Sequence, residues 1–203
     1  QRVSSINSVS AICEATGGNV KEVAEAIGLD HRVGKLFLSP GPGFGGSCFK
    51  KDILNLVYLC KQFNLIEVAN YWQQVIILND WQKKRIYTNI VKSLFGNLSE
   101  KKITILGFAF KSNTNDTRYS PAINIVKNLL ENGANIYIHD PQVSENQVAL
   151  VLDDHNRKID NYIGEWKFTR DLKMACKGAD ALVLLTEWEE YLKLDWSELS
   201  DLM

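Results

Sequence analysis

The chain has 203 residues, 45% of them apolar, which suits one large or two small domains with real hydrophobic cores. Lysine plus arginine number 23 against 24 acids, a net charge of −1, so neither nucleic acid nor an anionic membrane is indicated as a partner. Cys13, Cys48, Cys60 and Cys176 are widely spaced without a CxxC pair, and His31, His139 and His155 stand alone. With no leader pattern and no apolar run near about twenty residues, these features predict a cytoplasmic protein with reduced thiols, no metal site and no membrane span.

The sequence opens in a helical pattern. Val3, Ile6, Val9 (or Ser10) and Cys13 fall on one apolar stripe, which Gly17 and Gly18 end. Asn19 with Glu22 predicts a capping box for a short helix through Ile27, closed by Gly28. Residues 29–47 then lack periodicity and carry five of the glycines with Pro40 and Pro42. An irregular stretch of that length inside a compact domain is uncommon unless it has a function. Arg32 and Lys35 are candidate phosphate ligands there, and Phe37 and Leu38 can pack on a base or sugar.

The stretch ends in Gly41-Pro-Gly-Phe-Gly-Gly-Ser-Cys-Phe-Lys-Lys-Asp52. Gly43, Gly45 and Gly46 let the backbone lie close against a ligand. Their N–H groups, with the N-terminus of the helix that follows, suit an anion or a developing oxyanion. The same positive end, with Lys50 and Lys51 close by, favours negative charge on Cys48. A free cysteine is most often a small buried hydrophobe. Here Cys48, Lys51 and Asp52 lie within five residues, a nucleophile, an electrostatic stabiliser and a proton acceptor. Asp52 also reads as the N-cap of a helix whose face is Ile53, Leu56, Val57 and Cys60.

Asn64 and Glu67 form a second capping-box pattern. It opens a helix to about Phe95, with Val68, Trp72, Val75, Ile76, Asn79, Ile86, Ile90 and Leu94 on one side. Roughly thirty helical residues span about 45 Å and need partners along their length, here two adjoining domains and a second subunit. Tyr71 and Trp72 read as packing residues on that helix. Gly96-Asn97-Leu98-Ser99 breaks the pattern and places a domain boundary between residues 97 and 98.

Strands are predicted at 101–106 and 134–139, a short edge strand at 166–169, and a buried strand at 181–185. Ser120 and Pro121 supply the N-cap and first position of the helix between the first two. This βαβ order defines an α/β domain with a Rossmann-like parallel sheet. Its first turn, Gly107-Phe-Ala-Phe-Lys111, has one glycine where dinucleotide binding wants three. Asp140, ending the second strand, is therefore not read as a ribose-binding acid. Phe110 and Lys111, followed by Asn115-Asp-Thr-Arg118, point to a nucleotide-sugar platform instead.

Phe-Gly-Gly-Ser-Cys-Phe-Lys-Lys-Asp at 44–52 closely resembles the active-site segment of the UDP-glucose 6-dehydrogenase family. The related GDP-mannose and UDP-N-acetylmannosamine dehydrogenases share its pattern of Phe-Gly-Gly, a small residue, Cys, two variable residues and Lys-Asp. Gly-Phe-Ala-Phe-Lys at 107–111 with Asp-Thr-Arg at 116–118 resembles the second family signature, and Thr186-Glu-Trp188 also resembles the family, with no chemistry assigned. The resemblance implies a catalytic set of Cys48, Lys51 and Asp52, and a nucleotide-sugar held by Phe37, Leu38, Gly43, Phe44, Gly45, Phe110 and Lys111. It implies that Arg32 reaches a neighbouring subunit's substrate site, and that Arg118, Cys48 and Lys51 meet the cofactor NAD. The implied partners are UDP-glucose and further copies of the chain, at least a dimer built on the long helix. The implied reaction oxidises UDP-glucose to UDP-glucuronate through a Cys48 thiohemiacetal and thioester.

Ser39-Pro40-Gly41-Pro42 stands where many relatives carry a lysine and no prolines. The family also carries an N-terminal NAD domain with Gly-x-Gly-x-x-Gly, a catalytic lysine and asparagine earlier on the first helix, and a later substrate arginine. None of these is found in the sequence, so the resemblance implies a piece of a longer enzyme, inactive alone. Residues 1–97 would be its central helical dimerisation domain and 98–203 its UDP-sugar-binding domain. The alternative readings are GDP-mannose or UDP-N-acetylmannosamine oxidation, a non-catalytic nucleotide-sugar-binding and dimerisation module, and a thiol redox switch on Cys48.

Overall fold

The computed structural model describes residues 1–153 and 163–203; His155, read above as a solitary histidine, lies outside the described residues. The chain divides into two compact units, Gln1–Lys84 and Arg85–Met203.

The first unit is helical. Helix α1 (Arg2–Thr16) ends at Gly17, whose φ of 76° gives the left-handed turn that favours glycine. Its buried face is Ser4, Ile6, Asn7 and Cys13, more polar than the predicted stripe, because Ser4 and Asn7 bond to backbone. Helix α2 (Val20–Leu29) starts at Asn19, whose side chain accepts from Lys21 N–H at 3.0 Å and donates to Glu22 at 3.0 Å. Gly28 does not close this helix as expected but lies inside it. A Cβ there would come within 2.9 Å of Lys35 Cγ, so its smallness serves the crossing of Lys35.

Helix α3 (Phe49–Gln62) begins one residue after Cys48, which is its N-cap. Asp52 is therefore not the cap; it sits in the first turn, and its N–H donates to Cys48 O at 2.8 Å. Asn64 does not cap the next helix either. At φ 56° it closes α3, with Leu65 N–H donating back to Cys60 O at 2.8 Å. Helix α4 (Ile66–Ser93) carries residues of both units. Val68, expected in its buried stripe, is exposed, while Ala69, Val75, Ile76, Asn79, Gln82 and Lys83 are buried. Val57, Cys60 and Ala69 form a small core with Ile53, Leu56 and Trp72 against it. No helix among the described residues is long and apolar enough to cross a membrane.

The second unit is the expected parallel α/β unit. Strands β1 (Lys102–Leu106), β2 (Asn135–His139), β3 (Trp166–Phe168) and β4 (Ala181–Leu184) pair in the order β3-β2-β1-β4, all parallel. That order is the one found at the start of a Rossmann sheet. Helix α5 (Pro121–Glu131) is capped by Ser120 with Pro121 at its start, as predicted. It buries Ile125, Val126, Leu129 and Leu130 with the β-strand residues Ile103, Ile105, Ile136 and Ile138 in one core. Helix α6 (Glu145–Leu152) has a complete Ser144–Gln147 capping box. The short helices α7 (Leu172–Cys176), α8 (Glu189–Leu192) and α9 (Trp196–Ser200) follow. Strand β4, expected to be buried, is at the sheet edge and leaves Leu184 40% exposed.

At the C-terminal end of β2, His139 is buried with Nδ1 2.8 Å from the Tyr191 hydroxyl, which donates to His139 O at 3.0 Å. Burial pushes the His139 pKa below its ordinary 6.5, against the smaller opposing effect of Glu190. The folded state thus binds fewer protons at this site than the unfolded chain. The site's contribution to stability is complete above about pH 6.5 and is lost as the pH falls from there to the depressed folded value. Thermal melts should show the midpoint dropping between about pH 7.5 and 5.5, and His139→Gln should flatten that slope.

Candidate active site

Glycine residues carry no side chains with which to anchor a loop, so residues 41–48 must be held from outside. Asn79 on α4, 2% exposed, does this with both ends of its amide. Its Oδ1 accepts from Phe44 N–H at 2.8 Å and its Nδ2 donates to Phe44 O at 3.1 Å. Gln82 Nε2 donates to Gly41 O at 2.8 Å, and Asn7 Oδ1 accepts from Gly41 N–H at 2.9 Å. Gly43 has φ 121°, and a Cβ there would be 2.8 Å from Asn79 Oδ1. Glycine is required at this position by both conformation and space.

The loop delivers Cys48 to the start of α3 with its side chain exposed, whereas Cys13, Cys60 and Cys176 are buried. Lys51 and Asp52 follow it, both exposed, in the first turn. Lys50 stands 3.9 Å from Asp80 on α4, and Lys83 is 3.5 Å from the same carboxylate. Burial pushes the Lys83 ammonium below its usual pKa, and Asp80 opposes that shift.

Beside this turn lies an apolar cavity of about 390 Å³, walled by Phe37, Phe44, Phe49, Ile53 and Trp72 and reached by Asp52. Phe49 meets Phe37 at 6.3 Å and Phe44 at 6.1 Å between ring centroids. Gly45 is buried in the loop. Phe37 and Leu38 part company: Phe37, at φ 62°, is exposed, and Leu38 is buried. Arg32 is exposed and forks onto Asp30 two residues earlier, at 3.0 and 2.6 Å. The Arg32 hydrogen bonds hold the Asp30 pKa below the usual carboxylate range. Tyr71 and Trp72 stack edge-on at 5.4 Å, a packing pair as read from the sequence.

In the second unit, the turn after β1 is held by Asp140, which is fully buried. One oxygen accepts from Phe108 N–H at 2.7 Å, Ala109 N–H at 3.0 Å and Trp188 Nε1 at 3.2 Å. The other accepts from Gln142 N–H at 2.9 Å and Val143 N–H at 2.8 Å. Thr186 Oγ1 donates to Ala109 O at 2.7 Å. The space in front of Gly107 is filled as well, since a Cβ there would be 2.4 Å from Thr186 Cβ. The N–H groups that a pyrophosphate would take are therefore already bonded to a carboxylate, and this turn does not fit a dinucleotide.

Beyond the turn, Phe110 N–H donates to Asp116 O at 3.0 Å, and the Lys111 ammonium lies 5.6 Å from the Phe110 ring centroid. Arg118 is exposed and forks onto Asp116 at 3.0 and 2.8 Å, as Arg32 does onto Asp30. Within the first unit, Gly43, Phe44, Gly45, Cys48, Lys51 and Asp52 form one continuous segment. Within the second, Phe110, Lys111 and Arg118 belong to one short loop closed by Asp116.

Sequence reasoning missed the residues behind these loops. Asn79 was placed in an apolar stripe, and a polar residue at a buried helical position was the available signal. Asp140, which the glycine pattern excludes as a ribose ligand, and Thr186 and Trp188, to which no chemistry is assigned, carry no local signal of their part in this turn. Among the described residues no group of histidine, cysteine and acidic side chains could hold a metal ion.

A Rossmann-like parallel unit, joined in sequence to a helical unit with a cysteine-tipped glycine loop, marks an α/β protein of the sugar-nucleotide dehydrogenase type. Residues 1–81 match the model for the UDP-glucose/GDP-mannose dehydrogenase family, central domain, and residues 104–203 match that for its UDP binding domain. The chain belongs to the UDP-glucose/GDP-mannose dehydrogenase family. It is 52% identical over 200 residues to UDP-glucose 6-dehydrogenase of Gallus gallus, covering 98% of this chain and 40% of that protein. It is 48% identical over 213 residues to UDP-glucose 6-dehydrogenase 2 of Oryza sativa subsp. japonica, covering 100% of this chain and 44% of that one. Among solved structures, a UDP-glucose dehydrogenase from Pyrobaculum islandicum superposes with a TM-score of 0.81 at 30% identity, covering 96% of this chain and 42% of that one.

If the Gly107 turn is closed as described, Gly107→Ala should be costly, because φ is 91° and Thr186 backbone N would lie 2.8 Å from the new Cβ. The expected loss is about 2 kcal/mol or more in urea unfolding of the 203-residue chain. A change below about 0.5 kcal/mol would show that the turn can relax.

Proposed function

We propose that this chain supplies the catalytic thiol and the nucleotide-sugar platform of an NAD-dependent UDP-glucose 6-dehydrogenase that makes UDP-glucuronate in the cytoplasm. The observation that carries the reading is Cys48, an exposed thiol at the head of α3, ending a glycine loop fixed by Asn79. The 52% identity to the chicken UDP-glucose 6-dehydrogenase favours UDP-glucose over GDP-mannose or UDP-N-acetylmannosamine. Because the chain spans only about 40% of that protein's length, the remaining catalytic parts must come from elsewhere in a working enzyme.

The chemistry follows from the residues. The C6 alcohol loses a proton and a hydride to give the aldehyde. Cys48 sulfur adds to the aldehyde carbon, and the carbonyl oxygen gains a proton to form a thiohemiacetal. Loss of that proton and a second hydride leaves a thioester. Water cleaves the C–S bond, giving the carboxylate and returning the thiol. NAD, when bound, accepts the two hydrides. Lys51 stabilises negative charge on oxygen in the addition and hydrolysis steps, and Asp52 takes the proton from water.

The Gly107 turn is closed to a pyrophosphate, and the family resemblance makes Arg118, Cys48 and Lys51 the residues of this chain that would meet NAD. Phe110 and Lys111, with Phe37, Leu38 and the loop residues Gly43, Phe44 and Gly45, hold the UDP-sugar. Arg32 serves a second copy of the chain. In this reading residues 1–97 carry catalysis and dimerisation, and 98–203 carry nucleotide-sugar binding.

Large apolar side chains left exposed along α3, the α3–α4 turn and the start of α4 support self-association; Tyr58, Phe63, Leu65, Val68 and Tyr71 are 43–73% exposed. Sedimentation should give at least a dimer, and Phe63→Glu with Val68→Glu should raise its dissociation constant tenfold or more; a monomer at high concentration would refute the interface.

The catalytic reading is tested in a chimera in which this chain replaces the 200 matched residues of the chicken enzyme. The chimera should convert UDP-glucose to UDP-glucuronate with two NADH per sugar. Cys48→Ser should abolish carboxylate formation while UDP-glucose still binds by calorimetry. UDP-glucuronate made by Cys48→Ser at the parental rate would end the assignment.

A further inference from the structure

The α4 turn 79–83 holds the Cys48 segment on both sides. Ahead of the thiol, Asn79 bonds both backbone groups of Phe44, and Gln82 bonds Gly41 O. Behind it, Asp80 lies 3.9 Å from Lys50, two residues past Cys48. Lys83 supports the same turn from within: its Cγ lies 3.5 Å from where a Gly43 Cβ would be, and its ammonium lies 3.5 Å from Asp80. Only three residues separate the Asn79-bonded Phe44 from Cys48, and Gly45 and Gly46 in that interval are buried. The carbonyl and N–H of Phe44 are thus fixed by one amide, which is itself fixed by burial in a helix.

We propose that Asn79 is a positioning residue for the reaction at Cys48: its amide sets where the thiol stands and does not itself touch the substrate. This rests on the catalytic role given to Cys48 above. The physical reason is that nucleophilic addition needs sulfur and carbon within a near-attack geometry, and a displacement of about 1 Å costs on the order of 100-fold in rate. A glycine-rich segment cannot resist such a displacement by itself. A two-point hydrogen bond from a rigid element can.

The test uses the chimera with the chicken enzyme. Asn79→Ala removes both hydrogen bonds; Asn79→Asp keeps the shape and the acceptor for Phe44 N–H but loses the donor to Phe44 O. Ala69→Gly, on the same helix and fully buried, is the control for lost stability. Both Asn79 variants should lower kcat for carboxylate formation, by about 100-fold for Asn79→Ala, with a smaller rise in the UDP-glucose KM because the same loop also holds the UDP-sugar. Semicarbazide should trap the six-aldehyde from them, because the thiol no longer captures it. Hydrogen exchange of the 203-residue chain should quicken at residues 43–48 in Asn79→Ala and not in Ala69→Gly. Asn79→Ala failing to fold would leave Asn79→Asp to decide. A kcat loss shared equally by Ala69→Gly, or parental kcat in either folded Asn79 variant, would overturn the proposal. Cys48→Ser in the same chimera separates the two ideas: if it is inactive while Asn79→Asp is fully active, the positioning role fails and the catalytic cysteine stands.

Discussion

The constraint on which both candidate sites depend is that buried backbone N–H and C=O groups must be bonded to something. Regular structure meets it through ladders and helical turns. A glycine loop pressed against a protein interior cannot, and it also lacks side chains that would anchor it. The backbone groups of Gly41 and Phe44 are met by Asn7, Asn79 and Gln82, three amide side chains drawn from α1 and α4. Neutral amides suit this task because each offers a donor and an acceptor without the cost of burying a charge. Helical stripes that would otherwise be apolar therefore carry asparagine and glutamine, and the exposed thiol at the loop's end inherits a fixed position.

The second unit meets the same constraint with a carboxylate. Five donors converge on Asp140, enough to offset the desolvation of a fully buried charge. Using the Phe108 and Ala109 N–H groups this way has a functional consequence. In a dinucleotide-binding turn the same groups are left for a pyrophosphate, with glycines giving it room. Here an internal anion stands in for the external one, and Thr186 fills the remaining space over Gly107. The fold keeps its Rossmann order while its first turn becomes a rigid base for Phe110 and Lys111.

The parts of this arrangement that depend on local pattern were legible in the sequence. The parallel α/β order, the Ser120–Pro121 start of α5, the long helix and the glycine loop before Cys48 follow from periodicity, caps and composition. Two helix boundaries did not: α3 starts at Phe49, after a Cys48 whose side chain makes no capping bond, and Asn64 took a left-handed conformation to end α3 instead of beginning α4. Gly28 was read as a stop when it was a point of close approach to Lys35. The residues that hold the site together were the least visible. Asn79 reaches Phe44 across 35 positions, and Asp140 is bonded from Trp188 across 48. Nothing in local spacing encodes which backbone group a buried amide or carboxylate will meet.

The exposed cations follow a different rule from the buried amides. Arg32 and Arg118 each form a forked pair with an aspartate two residues earlier, Asp30 and Asp116, whose side-chain Oδ1 also accepts from the arginine's backbone N–H. Both arginine side chains remain largely exposed, and ion pairs in that setting contribute little to stability. Their effect is on geometry: a guanidinium held in a fork by a neighbour has already lost rotamer freedom before any ligand arrives. Such a pair orients an arginine without committing it, since a doubly charged phosphate oxygen group competes well with a single exposed carboxylate. A buried two-point hydrogen bond resists displacement of the backbone it holds, whereas an exposed carboxylate fork limits only the rotamers of the side chain it meets. The chain fixes the Phe44 backbone with the first kind of bond and orients Arg32 and Arg118 with the second.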